Sequence, residues 1–285
     1  MTRKSLFHFS LVGLLWGIPY LLMKVAVEDF PPAAVVAGRT LIGASILIPI
    51  AIYRKKFGGA VLGFKYVAFY ALMEMIGPWI LITTAEQKIN SGLAGLLVST
   101  VPIFATIITS LRGDHSVWQF KRLLGIVVGF IGLILVVGIE SLSGNSDPLS
   151  IAMVIVASMG YAYAVIMVTT NLPLVDGIAI NGLAMAITTV FWAPVAIAQW
   201  PSSISMNSAL SLIALGVFST AFAFILFFKV MAEIGPARSS LVTYLNTAIA
   251  VLLGVIILRE PLTVGIIVGL PLVLVGSYLA SKKTA

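Results

Sequence analysis

The sequence has 285 residues, of which 60% are hydrophobic and only 9% are charged, whereas roughly 25% are charged in an ordinary soluble domain. One water-soluble core cannot hide so much apolar surface, because a globule of this size needs a polar shell to face water. The composition therefore excludes a soluble globular protein and predicts one that is embedded in a membrane.

The amino-acid counts also exclude several kinds of chemistry. The sequence contains no cysteine, which rules out a disulfide framework, a thiolate zinc site, an iron–sulfur cluster and a cysteine nucleophile. Two histidines leave little for metal binding, so we expect no metal and no other cofactor. The net charge of +7 does not indicate nucleic-acid binding, because the basic residues lie between apolar runs and not on one continuous face.

Ten apolar runs follow one another along the chain. A helix needs roughly 20 apolar residues to cross a hydrocarbon core about 30 Å thick, and the runs lack the alternation of barrel strands. We therefore predict an all-α, polytopic membrane protein with ten transmembrane helices. The predicted spans are residues 5–27, 32–53, 64–85, 91–111, 119–139, 149–171, 177–199, 207–229, 238–258 and 263–281.

The first run follows Arg3 and Lys4 and so imitates a secretory signal peptide. It is long enough to span, and no small-x-small cleavage site follows it closely, so we predict that it is the first transmembrane helix.

Lysine and arginine residues near the span ends predict the orientation. If the N-terminus is cytoplasmic, three basic residues lie on the opposite side, Lys24, Lys88 and Arg259, and Arg39 lies within the second span. The other thirteen lie on the cytoplasmic side: Arg3, Lys4, Arg54, Lys55, Lys56, Lys65, Arg112, Lys121, Arg122, Lys229, Arg238, Lys282 and Lys283. This bias predicts that both termini are cytoplasmic.

A weak internal repeat relates the two halves of the chain. At an offset close to half the length, Gly17 matches Gly160 and Tyr20 matches Tyr163. The predicted halves are residues 1–142 and 143–285, each with five spans. Because five is odd, the second half enters the membrane from the opposite side, and such inverted repeats are typical of secondary transporters that expose a midplane site to either side in turn.

Two glycine pairs predict a close approach between the fifth and tenth spans. Gly125 and Gly129 are four residues apart, and so are Gly265 and Gly269, a spacing that lets helix backbones come together. The sequence leaves open whether this contact lies within one chain or between two, so we expect a monomer or a weak dimer.

Three segments carry a resemblance to a known family. They are Leu15-Trp16-Gly17, Pro31-Pro32 followed by Ala37-Gly38-Arg39, and Arg259-Glu260-Pro261-Leu262-Thr263. With these segments the whole chain resembles, in two copies, the EamA-like proteins of the drug/metabolite transporter superfamily, and in overall character the bacterial aromatic amino-acid exporters within it. The resemblance implies ten helices in two inverted halves, placement in the bacterial inner membrane, and export of amino acids or other metabolites.

The chain departs from the family pattern between the fourth and fifth spans. The family usually carries an acidic residue in that connection, and the repeat offset matches Glu260 with Ser116. We expect this difference to affect a loop contact and not transport.

Charged residues inside the spans are functional candidates, because they are costly in hydrocarbon. Glu74 lies about 15 Å into the third span, where it could bind a substrate ammonium or act as a protonatable coupling site. The alternatives are an ion pair with Arg39 and an acid that stays neutral. We interpret Arg39 as structural, and we expect Lys24 to reach toward the membrane interface.

The remaining candidates are aromatic and polar side chains at mid-depth. Rings could hold an aromatic substrate, and hydroxyl or amide groups could hold its zwitterionic end, although ordinary helix packing is an alternative for each residue. Pro78 follows Gly77 and is expected to bend the helix beside Glu74. The predicted substrate-binding residues are Trp16, Tyr20, Glu74, Pro78, Trp79, Ser99, Tyr163, Thr243, Tyr244 and Asn246.

The leading hypothesis is a secondary exporter of aromatic and other neutral amino acids, and the alternative is an exporter of another small metabolite or drug-like compound. No G-x-x-x-x-G-K-[ST] motif occurs, so direct ATP hydrolysis is not expected. An enzyme would need catalytic groups at mid-depth, which His8 and His115 do not reach. A channel would carry rings of charge or a carbonyl filter. Coupling to protons is left open.

Overall fold

The computed structural model describes residues 2–113, 119–142, 147–235, 239 and 241–281. Several residues named above lie outside this part of the chain: His115, Ser116, Arg238, Lys282 and Lys283.

Ten helices of 15 residues or more occur in the described part of the chain, and each coincides with a predicted span to within a few residues. They are α1 Arg3–Ala26, α2 Pro32–Tyr53, α3 Phe64–Ala85, α4 Ser91–Leu111, α5 Phe120–Leu142, α6 Pro148–Asn171, α7 Gly177–Ala198, α8 Met206–Ile234, α9 Val242–Ile256 and α10 Val264–Ser281. A short helix, Phe57–Leu62, lies between α2 and α3. The predicted all-α fold is confirmed for the described residues.

The length and composition of the helices agree with a multi-pass membrane protein. Seven helices, α1 to α4 and α6 to α8, are long and apolar enough to cross a membrane. The apolar helices α9 and α10 are shorter, and α5 has 23 residues.

Local sequence signals begin and end these helices. Asp147 and Asp176 precede α6 and α7, and their carboxylates accept backbone N–H groups of the first turn, which is the ordinary role of an N-cap residue. Pro31 and Pro32 lead into α2 with a backbone that suits the first helical turn. Gly235 ends α8 with a φ of 80°, a conformation that glycine adopts without strain.

The glycines of α5 and α10 bring the two helices into close contact. A Cβ atom at Gly276 would collide with the backbone of Gly129, and one at Gly132 would lie 2.8 Å from the backbone nitrogen of Val273. The predicted approach of the fifth and tenth spans is therefore confirmed, and the contact lies within one chain. We call this contact the glycine seam.

Helix α4 is enclosed along one half only. Residues 91–100 are buried at every position, whereas between 101 and 111 only Ile103, Phe104 and Thr106 are buried. On α9, the four consecutive residues 243–246 are all partly exposed, and four consecutive positions cover every face of a helix. The bundle is therefore closed at the end where α1 stops and α4 begins, which we call the outer end, and looser at the opposite end.

Helices α3 and α8 each contain a π-helical segment. The segments are Leu72–Ile76 and Leu215–Phe222, and their first residues are 143 positions apart, which is the offset of the sequence repeat. In α3, Pro78 has no N–H to donate to the preceding turn, and the indole of Trp192 donates to the carbonyl oxygen of Ile76 at 3.1 Å. Such π-bulges are frequent at functional sites.

Candidate functional site

Arg39 lies in the interior of the bundle, where it is 6% exposed. Its guanidinium carbon lies 3.9 Å from the centroid of the Trp79 ring. Its Nε and Nη2 donate to the hydroxyl oxygen of Thr220 at 3.3 and 3.1 Å, and Nη1 contacts the sulfur of Met23 at 3.6 Å. Among the described residues no carboxylate pairs with Arg39, so the Glu74–Arg39 ion pair considered above is not formed.

Glu74 lies in the π-helical segment of α3 and points into the bundle. Leu72, two positions earlier, is 42% exposed on the outer surface of the bundle, so the side chain of Glu74 leaves the helix on the opposite side. The residue as a whole is partly exposed, but its Oε2 is buried and has no hydrogen-bond partner among the described residues. This carboxylate is therefore available to a ligand.

Tyr161 on α6 connects these two charged groups. It lies within electrostatic range of both Glu74 and Arg39 and next to Trp79. Tyr20 on α1 is also buried and lies close to Arg39. We call Tyr20, Arg39, Glu74, Trp79 and Tyr161 the central site.

The π-helical segment of α8 faces the same region. Thr220 accepts both hydrogen bonds from Arg39, and the hydroxyl of its neighbour Ser219 is buried without a partner among the described residues. An unpaired buried polar group is costly in hydrocarbon. Each π-helical segment therefore contains a buried oxygen that has no hydrogen-bond partner among the described residues.

Some predicted site residues belong to the central site and others do not. Tyr20, Glu74 and Trp79 belong to it, and Pro78 lies beside it, where a Cβ atom at Gly160 would be 3.0 Å from the proline ring. Trp16 packs against Phe224 and Phe227 of α8, with ring centroids 5.5 and 4.6 Å apart.

Two predicted tyrosines pack at other places. The ring of Tyr163 lies between Phe69, at a centroid distance of 5.8 Å, and the guanidinium of Arg112 at 4.7 Å. The ring of Tyr244 lies 6.3 Å from that of Tyr278.

The predicted polar residues of α4 and α9 lie apart from the central charges. The hydroxyl of Ser99 donates to the carbonyl oxygen of Leu96 at 2.6 Å, so it is already satisfied. The hydroxyl of Thr247 donates to the carbonyl oxygen of Thr243 at 2.9 Å, and it lies 3.3 Å from both the Asn246 amide oxygen and the Gly95 carbonyl oxygen. Gly95 lies next to Tyr20. Asn246, with Thr243 one turn before it, therefore lies at the edge of the central site.

The outer end is held by charged groups. The ammonium of Lys24 donates to the carbonyl oxygens of Glu86 and Ile89 at 2.6 and 2.9 Å. The ammonium of Lys24 therefore ties α1 to the connection between α3 and α4, and its predicted reach toward the membrane interface stays a prediction.

Glu260 joins the connection after α9 to the start of α4. Its Oε1 accepts the backbone N–H of Ser91 at 2.8 Å, and its Oε2 accepts the Ser91 hydroxyl at 2.8 Å and the N–H of Gly92 at 3.3 Å. A carboxylate is stabilised at a helix N-terminus. The predicted counterpart of Glu260, Ser116, lies outside the described residues.

In the part of the chain that the structure describes, no group of three or more histidine, cysteine, aspartate or glutamate residues comes together. The central site contains the guanidinium of Arg39, the carboxyl group of Glu74 and three aromatic rings.

A multi-pass helical bundle with opposite charges in its interior is typical of membrane transporters. The sequence model of the EamA-like transporter family matches residues 3–138 and again residues 148–282. The chain therefore belongs to the EamA-like transporter family and is a membrane transporter.

Several curated relatives support this assignment. The chain is 28% identical to the uncharacterized transporter YoaV of Bacillus subtilis over 94% of its length and 93% of the relative's. It is 25% identical to the uncharacterized inner membrane transporter YedA of Escherichia coli, over 95% and 90% of the two lengths. A solved crystal structure with 15% identity has the same fold, with a TM-score of 0.64 over 98% of both chains.

Proposed function

We propose that the protein is a secondary transporter of the bacterial inner membrane that exports aromatic and other neutral amino acids. In this proposal its ten helices form two inverted halves, residues 1–142 and 143–285, with both termini in the cytoplasm. Family membership supports transport, and the substrate class rests on the central site.

The observation that carries the substrate class is a pair of ionisable groups, one basic and one acidic, that have no ion partner in the described part of the chain. Arg39 and Glu74 have no ion partner among the described residues, and both lie within electrostatic range of Tyr161. A charge without a partner is costly at this depth. A zwitterion would offset both costs, because its carboxylate can bind Arg39 and its ammonium can bind Glu74.

Aromatic rings surround these charges and favour an aromatic substrate. Trp79 lies under Arg39, Tyr161 lies next to Trp79, and Tyr20 is buried nearby. Rings of this kind bind another ring in stacked or edge-to-face geometry. The second candidate, an exporter of amphipathic amines, is favoured by Glu74 together with the same rings, without a role for Arg39.

The uneven closure of the bundle supports alternating access. The outer end is packed, whereas the inner halves of α4 and α9 are partly exposed. With the predicted orientation, the looser end faces the cytoplasm, where an exporter collects its substrate. The π-helical segments of α3 and α8 are places where each helix can bend.

Purified protein in liposomes tests the proposal. Labelled phenylalanine should enter saturably, with stimulation by unlabelled amino acid on the other side, and repetition with and without a proton gradient shows whether protons are coupled. Glu74→Gln should reduce uptake at least about tenfold, the effect of losing a charged hydrogen bond, whereas Glu28→Gln at an exposed acid should not.

Absence of saturable uptake for every neutral amino acid would reject the substrate class. Saturable uptake of the matching amine that is unaffected by Arg39→Lys would favour the second candidate.

A further inference from the structure

Glu86 is fully buried although it directly follows the last residue of α3. Its exposure is 0%, and neither carboxylate oxygen has a hydrogen-bond partner among the described residues. A residue at the end of a membrane helix can usually reach water, so the burial of Glu86 results from the packing of the outer end. The central site does not use this side chain.

Charged groups approach Glu86 from several elements, and none satisfies its carboxylate. Lys24 of α1 is close, but its ammonium donates to the carbonyl oxygens of Glu86 and Ile89. Glu260 is within electrostatic range, but its carboxylate is bound to Ser91 and Gly92 at the start of α4.

Two further titratable groups lie near Glu86. Tyr20 of α1 is within electrostatic range, and Glu28 shares with Glu86 and Lys24 the lining of a cavity of about 230 Å³. Lys88, two residues after Glu86, is largely exposed and pairs with Asp147 at 3.9 Å. Opening of the outer end would separate these elements and let water reach Glu86.

An ionised carboxylate in this place is unfavourable. Burial raises the pKa of Glu86 well above its ordinary value; nearby Lys24 lowers it and nearby Glu260 raises it further. In an open outer end the same carboxylate would be solvated and would lose its proton at an ordinary pH.

We propose that Glu86 is a proton-binding site of the outer gate. When the outer end closes, the carboxylate takes one proton from the outer solution and becomes a neutral acid, and when the end opens it returns that proton. This inference rests on the alternating access of the proposed function, but it does not depend on the substrate class.

The direction of the effect follows from proton linkage. Because the closed state binds one more proton than the open state, a higher outer pH favours opening, by at most tenfold in the equilibrium constant for each pH unit. The proton returns to the side from which it came, so Glu86 sets the gate equilibrium and does not drive transport. Coupling to a gradient would need another group, such as Glu74.

The lack of native cysteine permits a direct test with single-cysteine reporters. Ala94 on α4 is 0% exposed at the outer end, so Ala94→Cys reports opening. Ser203→Cys lies in the exposed connection before α8 and corrects for the pH dependence of thiol chemistry. Both would be labelled from outside in spheroplasts with a membrane-impermeant maleimide between pH 5 and 8.5.

We expect the rate for Ala94→Cys, divided by that for Ser203→Cys, to rise several-fold with pH. Adding Glu86→Gln should make the ratio low and independent of pH, because a neutral side chain stays buried. A flat ratio in the protein with native Glu86 would overturn the proposal without need of any Glu86 variant. The same rise with and without Glu86→Gln would also overturn it, as would a reporter that is never labelled. A pH-dependent ratio in a protein that moves no amino acid would reject only the substrate class.

Discussion

The carboxylate of Glu260 accepts both the backbone N–H and the hydroxyl of Ser91, each at 2.8 Å. The two residues are 169 positions apart in the sequence. The contact therefore fixes the start of α4 to the connection between α9 and α10, at the closed end of the bundle. It is a charge-assisted pair of hydrogen bonds, which is stronger than a neutral pair.

Removing the charge of Glu260 should loosen the outer end. Glu260→Gln weakens both hydrogen bonds to Ser91, and we expect the closed outer end to lose about 1–3 kcal/mol of stability. Maleimide labelling of Ala94→Cys should therefore increase at every pH. This effect has the opposite sign to that of Glu86→Gln. Asp147→Asn is the control, because its carboxylate also accepts the N–H and the hydroxyl of a serine, Ser150, but within a single helix. Unchanged labelling would show that the contact does not hold the end closed.

Arg39 should contribute to the binding of the substrate carboxylate. Arg39→Lys keeps the charge but loses the planar group that stacks over Trp79 and donates twice to Thr220. We expect the KM for phenylalanine to rise about tenfold or more, whereas uptake of the corresponding amine without a carboxylate should change less than about twofold.

Arg112→Lys is the matched control for this experiment, because Arg112 also lies over an aromatic ring, that of Tyr163, but outside the central site. The KM of both variants is measured from the concentration dependence of uptake into liposomes. Equal losses for the amino acid and the amine would place the effect in the structure of the site and not in recognition of the carboxylate.

The glycine seam between α5 and α10 should be sensitive to a single methyl group. A Cβ atom at Gly276 would collide with the backbone of Gly129, so Gly276→Ala must push the helices apart, at a cost of about 1–3 kcal/mol. Gly58→Ala is the control, because no atom lies within 4 Å of its Cβ position. Thermal unfolding in detergent measures both, and an unchanged Tm for Gly276→Ala would contradict the close approach.

Asp29 should stabilise the protein in a pH-dependent way. The hydroxyl and N–H of Ser205 donate to its carboxylate at 2.6 and 2.9 Å, and these bonds lower the pKa of Asp29. The stabilisation is therefore complete above the ordinary pKa of about 3.9 and is lost as the pH falls through the lower folded value. Asp29→Asn should lower Tm at pH 7, and the difference should vanish in acid. A difference that stays constant from pH 7 to 3 would contradict this assignment.

Most of the fold could be predicted because membrane helices are encoded locally. Length and continuous apolar character define a span, so the predicted run 32–53 coincides with α2 and the run 91–111 with α4. The π-helical segments could not be predicted in this way. The one in α3 depends on the missing N–H of Pro78 and on a hydrogen bond from Trp192, 116 residues away.

The candidate site could be predicted only in part. Glu74 is conspicuous as a charge at mid-depth, and Trp79 and Tyr20 lie close to it in depth. The sequence does not single out Tyr161, because the repeat offset matches Tyr20 with Tyr163, whose side chain leaves α6 in another direction two residues later. Ser219, Thr220 and Glu86 give no signal in the sequence, since small hydroxyls are common in membrane helices and an acid at a helix end looks solvated. Their importance depends on which helices pack around them.

The glycine seam also constrains how the molecule can change shape. Backbone of α5 lies against backbone of α10 at Gly129 and Gly276, and a shift by one residue along the axis would place bulky side chains where only hydrogen atoms fit. These two helices therefore cannot slide past each other and must travel as a unit. In the proposed transport cycle, the change of access then has to come from rocking and bending of the other helices against this rigid pair.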